Sequence, residues 1–448
     1  MNFNLNIHNF TNHPYTCCSM KTSIIWFKTD LRLYDNDTLV NAIAESDLVI
    51  PVYCFDENHY NTTSYGFKKT GSFRAQFILE AVANLDARLR EMESGLIIVK
   101  GNPEKQLAMV ARMYNATAVY ARREVAPEEM QTQKRVKIAL QGIGCTLHTL
   151  GESTLFPEES LPFGIHDIPD VFTNFRVKVQ KHSEIPIVTP RPQAIPSPKL
   201  PTAILPTLKE LELQPAEADS RAAIRFKGGE KEGLNRINNF FYQTHSIAHY
   251  KETRNNLIGE NYSSKLAPWL AQGCLSARAV YHELKEYEKE FSANDGTEWL
   301  VFELLWRDYF CFMMCKHHAK FFKKGGIKNE PPLLPPHNER IMQQWMNGET
   351  GNDFVDANML ELKLTGFMSN RGRQNVASYL CHDLKIDWRY GAAYFEQQLI
   401  DYDVCNNWGN WAYIAGVGND PRQNRYFNIQ KQATDYDADG SYRKLWLS

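Results

Sequence analysis

Gly366-Phe367-Met368-Ser369-Asn370-Arg371-Gly372-Arg373-Gln374-Asn375-Val376-Ala377-Ser378, followed by Asp401-Tyr402-Asp403-Val404-Cys405-Asn406-Asn407-Trp408-Gly409-Asn410-Trp411, decides how this chain is read. Polar groups crowd here inside an otherwise apolar pattern. Val376, Ala377, Tyr379 and Leu380 form the apolar stripe of a helix. Asn370 and Arg373 stand one turn apart on it, so both can face one ligand. Asp401 and Asp403 alternate on an irregular segment, and Asn407 follows four residues later. Carboxylates, amides and arginines at this density cannot be buried without partners. A polar network on the surface is the competing reading.

Upstream, Trp299-Leu300-Val301-Phe302-Glu303-Leu304-Leu305-Trp306-Arg307-Asp308 reads as a strongly apolar helix. Trp299, Glu303, Trp306 and Arg307 share one face of it, which suits a pocket for a flat polar ligand. A core helix with an internal ion pair has the same pattern. Before it, Tyr262-Ser263-Ser264-Lys265-Leu266-Ala267-Pro268-Trp269-Leu270 opens another helix. Ser263 and Ser264 can offer hydroxyl and N–H donors to a phosphate there, or serve as ordinary caps.

These three stretches, in this order, resemble the FAD-binding domain of the photolyase/cryptochrome family. Thr365–Ser378 and Gly416-Val417-Gly418-Asn419-Asp420-Pro421-Arg422 look like the DASH-type cryptochromes. The resemblance runs from about Ser23 to Trp446.

Length and composition fit that picture. A chain of 448 residues is expected to hold two domains. It is 43% hydrophobic and 12% aromatic, enough for large cores. The net charge of −2 means that any nucleic acid must meet a local basic patch. Nine cysteines show no CxxC pair, and Cys311 and Cys315 lack a second pair to complete a metal set. Reduced thiols, no metal and an intracellular setting are expected. No apolar run reaches the length of a membrane span. Residues 1–19 hold no Lys or Arg, which argues against a secretory or transit signal.

Short apolar strands are expected at Ser23–Lys28, Leu48–Cys54, Leu96–Val99, Thr117–Ala121 and Cys145–Leu150. Amphipathic helices lie between them, around Phe73–Glu93, Pro103–Tyr114 and Pro127–Gln141. Alternation of this kind indicates an α/β doubly wound parallel sheet. No GxGxxG follows the first strand, which disfavours an ordinary dinucleotide loop. Residues 151–225 show no long periodic segment and carry seven prolines between Pro186 and Pro206. Beyond Lys227 the period is helical, with helices expected at Gly233–Phe241, Pro268–Leu270 into Ser276–Lys289, Glu298–Lys316, Glu339–Met346, Asp353–Leu364, Asn370–His382 and Gly391–Leu399. The expected division is a disordered extension at 1–20, an α/β antenna-binding domain at 21–150, a connector at 151–225 and an all-α FAD-binding domain at 226–448.

The resemblance implies roles residue by residue. Tyr250, Ser263, Ser264, Lys265, Leu266 and Arg307 would serve the FAD pyrophosphate, with Trp299 and Trp306 as aromatic cover. Asn370, Arg373, Asp401, Asp403 and Asn407 would meet the isoalloxazine. Asn407 matches the position facing flavin N5, where signalling plant relatives carry Asp. The antenna is expected to be 5,10-methenyltetrahydrofolate, with Glu124 as a contact; an exposed charge after a strand is the alternative for Glu124. The implied reaction is light-driven electron transfer from reduced FAD to a cyclobutane pyrimidine dimer in DNA. Glu303, beside Asn370, would hold the flipped pyrimidine edge, and Trp306 would stack on it.

Gln374 stands where duplex-repairing relatives have Met, and Tyr413 where they have Trp. Both changes make the pocket more polar, so single-stranded DNA is the expected substrate and partner. Lys323, Lys324, Arg422 and Arg425 are candidate phosphate contacts, or a solvated helix end. Trp411 and Trp388 match two members of the family's tryptophan relay. The third position falls near Pro335, where no tryptophan stands, and Trp408 is an additional tryptophan without a role. A monomer is expected. A blue-light photoreceptor with little repair is the alternative function. A nicotinamide-dependent flavin oxidoreductase would need a second nucleotide fingerprint, and none is visible.

Overall fold

A computed structural model describes residues 20–151, 153–217, 219–422 and 425–448. The expected disorder before Met20 lies outside the described residues. Five strands, β1 (Thr22–Phe27), β2 (Leu48–Phe55), β3 (Ile97–Lys100), β4 (Ala118–Arg122) and β5 (Thr146–Leu150), form a sheet in the order β3-β2-β1-β4-β5. Every pairing is parallel. β1 is buried along its whole length, as its unbroken apolar run requires in a doubly covered sheet.

Four helices cover the sheet: α1 (Asp37–Ala44), α2 (Ser72–Arg90), α3 (Pro103–Met113) and α4 (Pro127–Gln141). Leu107, Val110, Val136 and Leu140 of α3 and α4 close a core with Ile24, Trp26, Ile50, Val52 and Val119. The opposite face, with Ile25, Phe27, Val49, Phe77 and Leu85, is continuous with the core of the helical region.

That region contains α6 (Glu230–Asn238), α7 (Tyr250–Thr253), α8 (Ala267–Ala271), α9 (Ala277–Phe291), α10 (Asp295–His317), α11 (Glu339–Asn347), α12 (Asp353–Thr365), α13 (Asn370–Ser378), α14 (Trp388–Gln398), α15 (Val404–Ile414), α16 (Ile429–Tyr436) and α17 (Ser441–Leu447). The helix expected over Asn370–His382 is α13 followed by a wider π turn at Tyr379–Asp383. The connector is not featureless: α5 (Phe172–His182) lies within it. Phe172, Phe175 and Val179 supply its buried stripe, short enough to be lost among polar neighbours.

The loop after β1 joins the two regions. Arg32 Nη1 donates to Gly273 O at 3.1 Å, and Leu31 N donates to Gln272 O at 3.3 Å. The buried Glu230 carboxylate accepts from Leu33 N and Tyr34 N, both at 3.1 Å, and pairs with Arg88 at 3.0 Å. Arg278 bridges Asp35 and Asp37 at 2.8 and 2.7 Å. Gly273 has φ +63°, and a Cβ there would lie 2.0 Å from Thr29 O. Gly273→Ala therefore combines left-handed strain with a backbone clash, and should destabilise the chain by roughly 2–4 kcal/mol in denaturant unfolding. An unchanged midpoint would contradict this packing.

Candidate functional site

Two capped helix starts and a buried ion pair define a cavity of about 580 Å³. Ser369 caps α13 by accepting from Gly372 N at 2.9 Å. Asp403 caps α15 by accepting from Asn406 N at 2.8 Å. Between them, Arg373 Nη2 donates to Asp401 Oδ1 and Oδ2 at 3.1 and 2.8 Å, while its Nε donates to Met368 O at 2.9 Å. Asn370, Arg373, Gln374, Asp401, Asp403, Asn407 and Trp411 all line this cavity. The Asn407 amide is fixed by donating from Nδ2 to Ala392 O at 3.0 Å. Asn406, Asn410 and Tyr402 also line it and were missed. The asparagine-rich run was the available signal for two of them.

A second group gathers around α7, α8 and the start of α10. Tyr250 and Ser264 are both buried here. α8 begins at Ala267 with Leu266 in the cap position, so neither Ser263 nor Ser264 caps it. Buried Arg236 holds the serine segment by donating to Ser264 O, Ser263 O and Glu260 O at 2.9, 3.0 and 3.2 Å. Lys265 has φ +50°, and its ammonium donates to Gly259 O and Glu260 O at 3.1 and 2.8 Å. Glu303 Oε1 accepts from Trp299 Nε1 at 3.1 Å and pairs with Arg254 at 2.6 Å. Burial pushes the Glu303 carboxyl up, and Arg254 opposes this. Arg371 ties the two groups together by donating to Asn255 Oδ1 at 3.0 Å and Gln374 Oε1 at 3.0 Å. Arg236 and Arg254 were not singled out in the sequence.

Trp306 and Arg307 depart from the single-face expectation. Phe172 of α5 stacks on Trp306 at 3.7 Å and 11°, covering one face. Arg307 donates to the Ser153 and Leu270 carbonyls, so its guanidinium holds the start of the connector and α8 instead of meeting the serine segment. Tyr413 meets Trp306 edge-on at 5.9 Å, with the Arg425 guanidinium 4.7 Å from its ring. Arg422 and Arg425 are both paired to buried Asp420, at 3.2 and 2.9 Å. Lys323 is exposed, and Lys324 accepts from Trp388 Nε1 through its carbonyl at 3.1 Å.

A larger cavity of about 1330 Å³ lies between the sheet and the helices. Glu124 lines it, half-buried, and pairs with Lys28 at 2.8 Å and Arg122 at 3.4 Å. Burial alone would raise this carboxyl, but the two cations outweigh it and hold it below the usual range. Glu129 is pushed up to about 7 by burial and by Glu124. Tyr402 and Asp403 line both cavities. Among the described residues, no three His, Cys, Asp or Glu side chains are placed to hold a metal ion, and no helix is long and apolar enough to cross a membrane.

Burial, then Arg236, pulls the Lys265 ammonium down from 10.5 to about 7. Between these values the unfolded chain binds the extra proton, so this group makes stability rise with pH. The unfolding free energy of the ligand-free chain, wild type minus Lys265→Met, should climb across that window by up to about 1.4 kcal/mol per pH unit. A difference that is flat with pH would show that Lys265 keeps an ordinary value.

Comparison with known proteins agrees with this architecture. Residues 23–199 match the model described as DNA photolyase, and residues 299–448 match the FAD binding domain of DNA photolyase. Cryptochrome DASH of Synechocystis is 44% identical over 95% of this chain and 87% of its own, and that of Xenopus laevis 44% identical over 96% and 83%. The crystal structure of a Synechocystis cryptochrome superposes with a TM-score of 0.91 at 44% identity, covering 95% of this chain and 88% of that one. A class III photolyase from Agrobacterium tumefaciens gives 0.82 at 26% identity, covering 97% and 88%. The chain belongs to the photolyase/cryptochrome family, among its DASH-type members.

Proposed function

We propose that the chain repairs cyclobutane pyrimidine dimers in single-stranded DNA under blue or near-ultraviolet light, with FAD in the cavity between α13 and α15. The observation that carries this reading is the Arg373–Asp401 pair facing Asn407 across that cavity. The residues suit a flavin. The amide-rich, partly apolar lining of this cavity suits the polar edge of a flat ring system. Asn370, Gln374, Asn406 and Asn410 line the cavity with amide donors and acceptors for such a ligand. Reduced FAD, when bound, would supply the electron that splits the dimer and recover it afterwards.

The residues have distinct parts in this reading. Arg373 and Asp401 fix the charge beside the ring system, and Asn407 offers an amide that cannot hand over a proton as an acid can. The serine segment, held by Arg236, serves the pyrophosphate with Tyr250. Lys265 spends its donors on backbone carbonyls, so its contribution is the shape of that segment. Glu303, with its raised pKa, retains a proton more readily than a free glutamate and can donate it to the pyrimidine edge. Phe172 braces Trp306 from behind, so stacking of a flipped base falls to the face that Phe172 leaves free and to Tyr413.

Flipping a dimer out of intact duplex costs a few kcal/mol. An aromatic surface returns roughly 1–3 kcal/mol per stacked base. Gln374 lines the cavity with its carbonyl engaged by Arg371, and gives little of that return. Repair yield per absorbed photon should therefore be higher on single strands than on matched duplex, by about tenfold or more at sub-saturating protein. Gln374→Met with Tyr413→Trp should move activity toward duplex. Glu303→Ala should depress single-strand repair while FAD stays bound. Equal yields on both substrates would sink the single-strand preference, and no yield on either would favour a photoreceptor.

The larger cavity is the proposed place of the folate antenna. Glu124→Gln should abolish the near-ultraviolet absorbance band gained on reconstitution with 5,10-methenyltetrahydrofolate, with FAD content unchanged. Retention of the band in the variant would reduce Glu124 to a structural partner of Lys28 and Arg122.

A further inference from the structure

Trp411 lines the smaller cavity, and its indole lies against Gly391, where a Cβ would come within 2.3 Å of Trp411 Cη2. Gly391 is one turn along α14 from Trp388, which opens that helix. Trp388 is fully buried, and its ring lies 5.8 Å from that of Trp408 at 74°. Trp408 lies 6.4 Å from Tyr65, and Tyr65 lies 5.1 Å from Tyr390. Tyr65 and Tyr390 are half-buried, so this run of oxidisable rings leads from the cavity to water. Tyr390 is also stacked on His337 at 4.0 Å, two residues beyond Pro335, where the expected third tryptophan is missing.

We infer that Trp408 and Tyr65 are the outlet of the aromatic relay in this chain. The inference rests on FAD occupying the smaller cavity. One electron leaves Trp411 for the light-excited oxidised flavin, and the vacancy passes outward through Trp388 and Trp408 to Tyr65. Trp408 is buried and its Nε1–H donates to the Tyr402 hydroxyl at 3.3 Å, so it has no route to lose a proton to water. Tyr65 has one. The Arg389 guanidinium, 5.8 Å from its ring, disfavours a cationic radical there, so the phenolic proton departs to solvent. A thiol reductant in solution then returns one electron and one proton to Tyr65 and becomes a thiyl radical. The phenol is restored.

A competing branch runs from Trp411 to Trp345 at 6.2 Å and on to Tyr394 at 5.7 Å. It ends inside the protein: Tyr394 is buried and its outward neighbour is Phe67, at 5.6 Å. Phenylalanine is not oxidisable at biological potentials, so this branch does not reach solvent.

The test is flash photolysis of the FAD-loaded protein, with transient absorbance and electron paramagnetic resonance identifying the radical. The wild type should form a long-lived tyrosyl radical. Tyr65→Phe combined with Tyr390→Phe should abolish it. Trp408→Phe, which keeps an aromatic ring in the packing, should lose both the radical and steady photoreduction with thiol, down to the level of Trp411→Phe. Tyr394→Phe should leave the signal unchanged. Unaltered radical identity and lifetime in Trp408→Phe and in the tyrosine double variant would overturn the outlet while leaving the flavin reading intact. A chain that takes up no FAD, or an Arg373→Ala/Asp401→Ala variant that keeps its full complement, would overturn the flavin reading itself.

Discussion

The contact between Arg373 and Asp401 spans α13 and the segment ahead of α15, two elements that meet across an open cavity. The Asp401 side chain is 3% exposed and that of Arg373 25%, so the guanidinium is the charged partner of a carboxylate shielded from water. Such a pair adds little net stability compared with apolar packing, yet removing one partner strands a buried charge at a cost of about 3–5 kcal/mol. Its value is geometric. It fixes the gap into which Asn370, Gln374, Asn406 and Asn407 project, and the Ser369 and Asp403 caps set the directions of the two helices that carry them.

The same segment is braced from the sheet side. Arg74 of α2 donates to Leu399 O at 3.0 Å, and Gly71 N donates to Gln397 O at 2.9 Å. Together with Glu230, Arg278 and the Gly273 contact, these bonds make the junction between sheet and helices a polar clasp around a cavity. Buried carboxylates paired with arginines suit such a joint, because their partners come from distant parts of the chain and specify one arrangement.

The sheet was legible because its central strands β1, β2 and β4 are written as short apolar runs between amphipathic helices. The polar set of Asn370, Arg373, Asp401 and Asn407 was legible because charge inside an apolar pattern needs a partner. α5 was not, since three buried apolar positions in eleven residues do not stand out beside a proline-rich tail. α15 was missed for another reason: its asparagines and glycine are poor helix formers, and the Asp403 cap and tertiary packing override them. Arg236 and Arg254 act on a backbone segment and on a glutamate far away in sequence, and spacing carries no trace of such pairings. The covering of Trp306 by Phe172 was hidden with the helix that supplies it.

Tyr402 and Asp403 form a wall common to both cavities. Asp403 also sets the first turn of α15, so a shift of this wall reorients the amides that follow it. Two occupants on either side of one backbone segment cannot be thermodynamically independent when either moves it. By linkage, whatever factor the first occupant imposes on the affinity of the second must be returned in equal measure, whichever arrives first. With both cavities filled, two sites separated by the thickness of a tyrosine and an aspartate would act as one unit, with the coupling carried by two residues of chain.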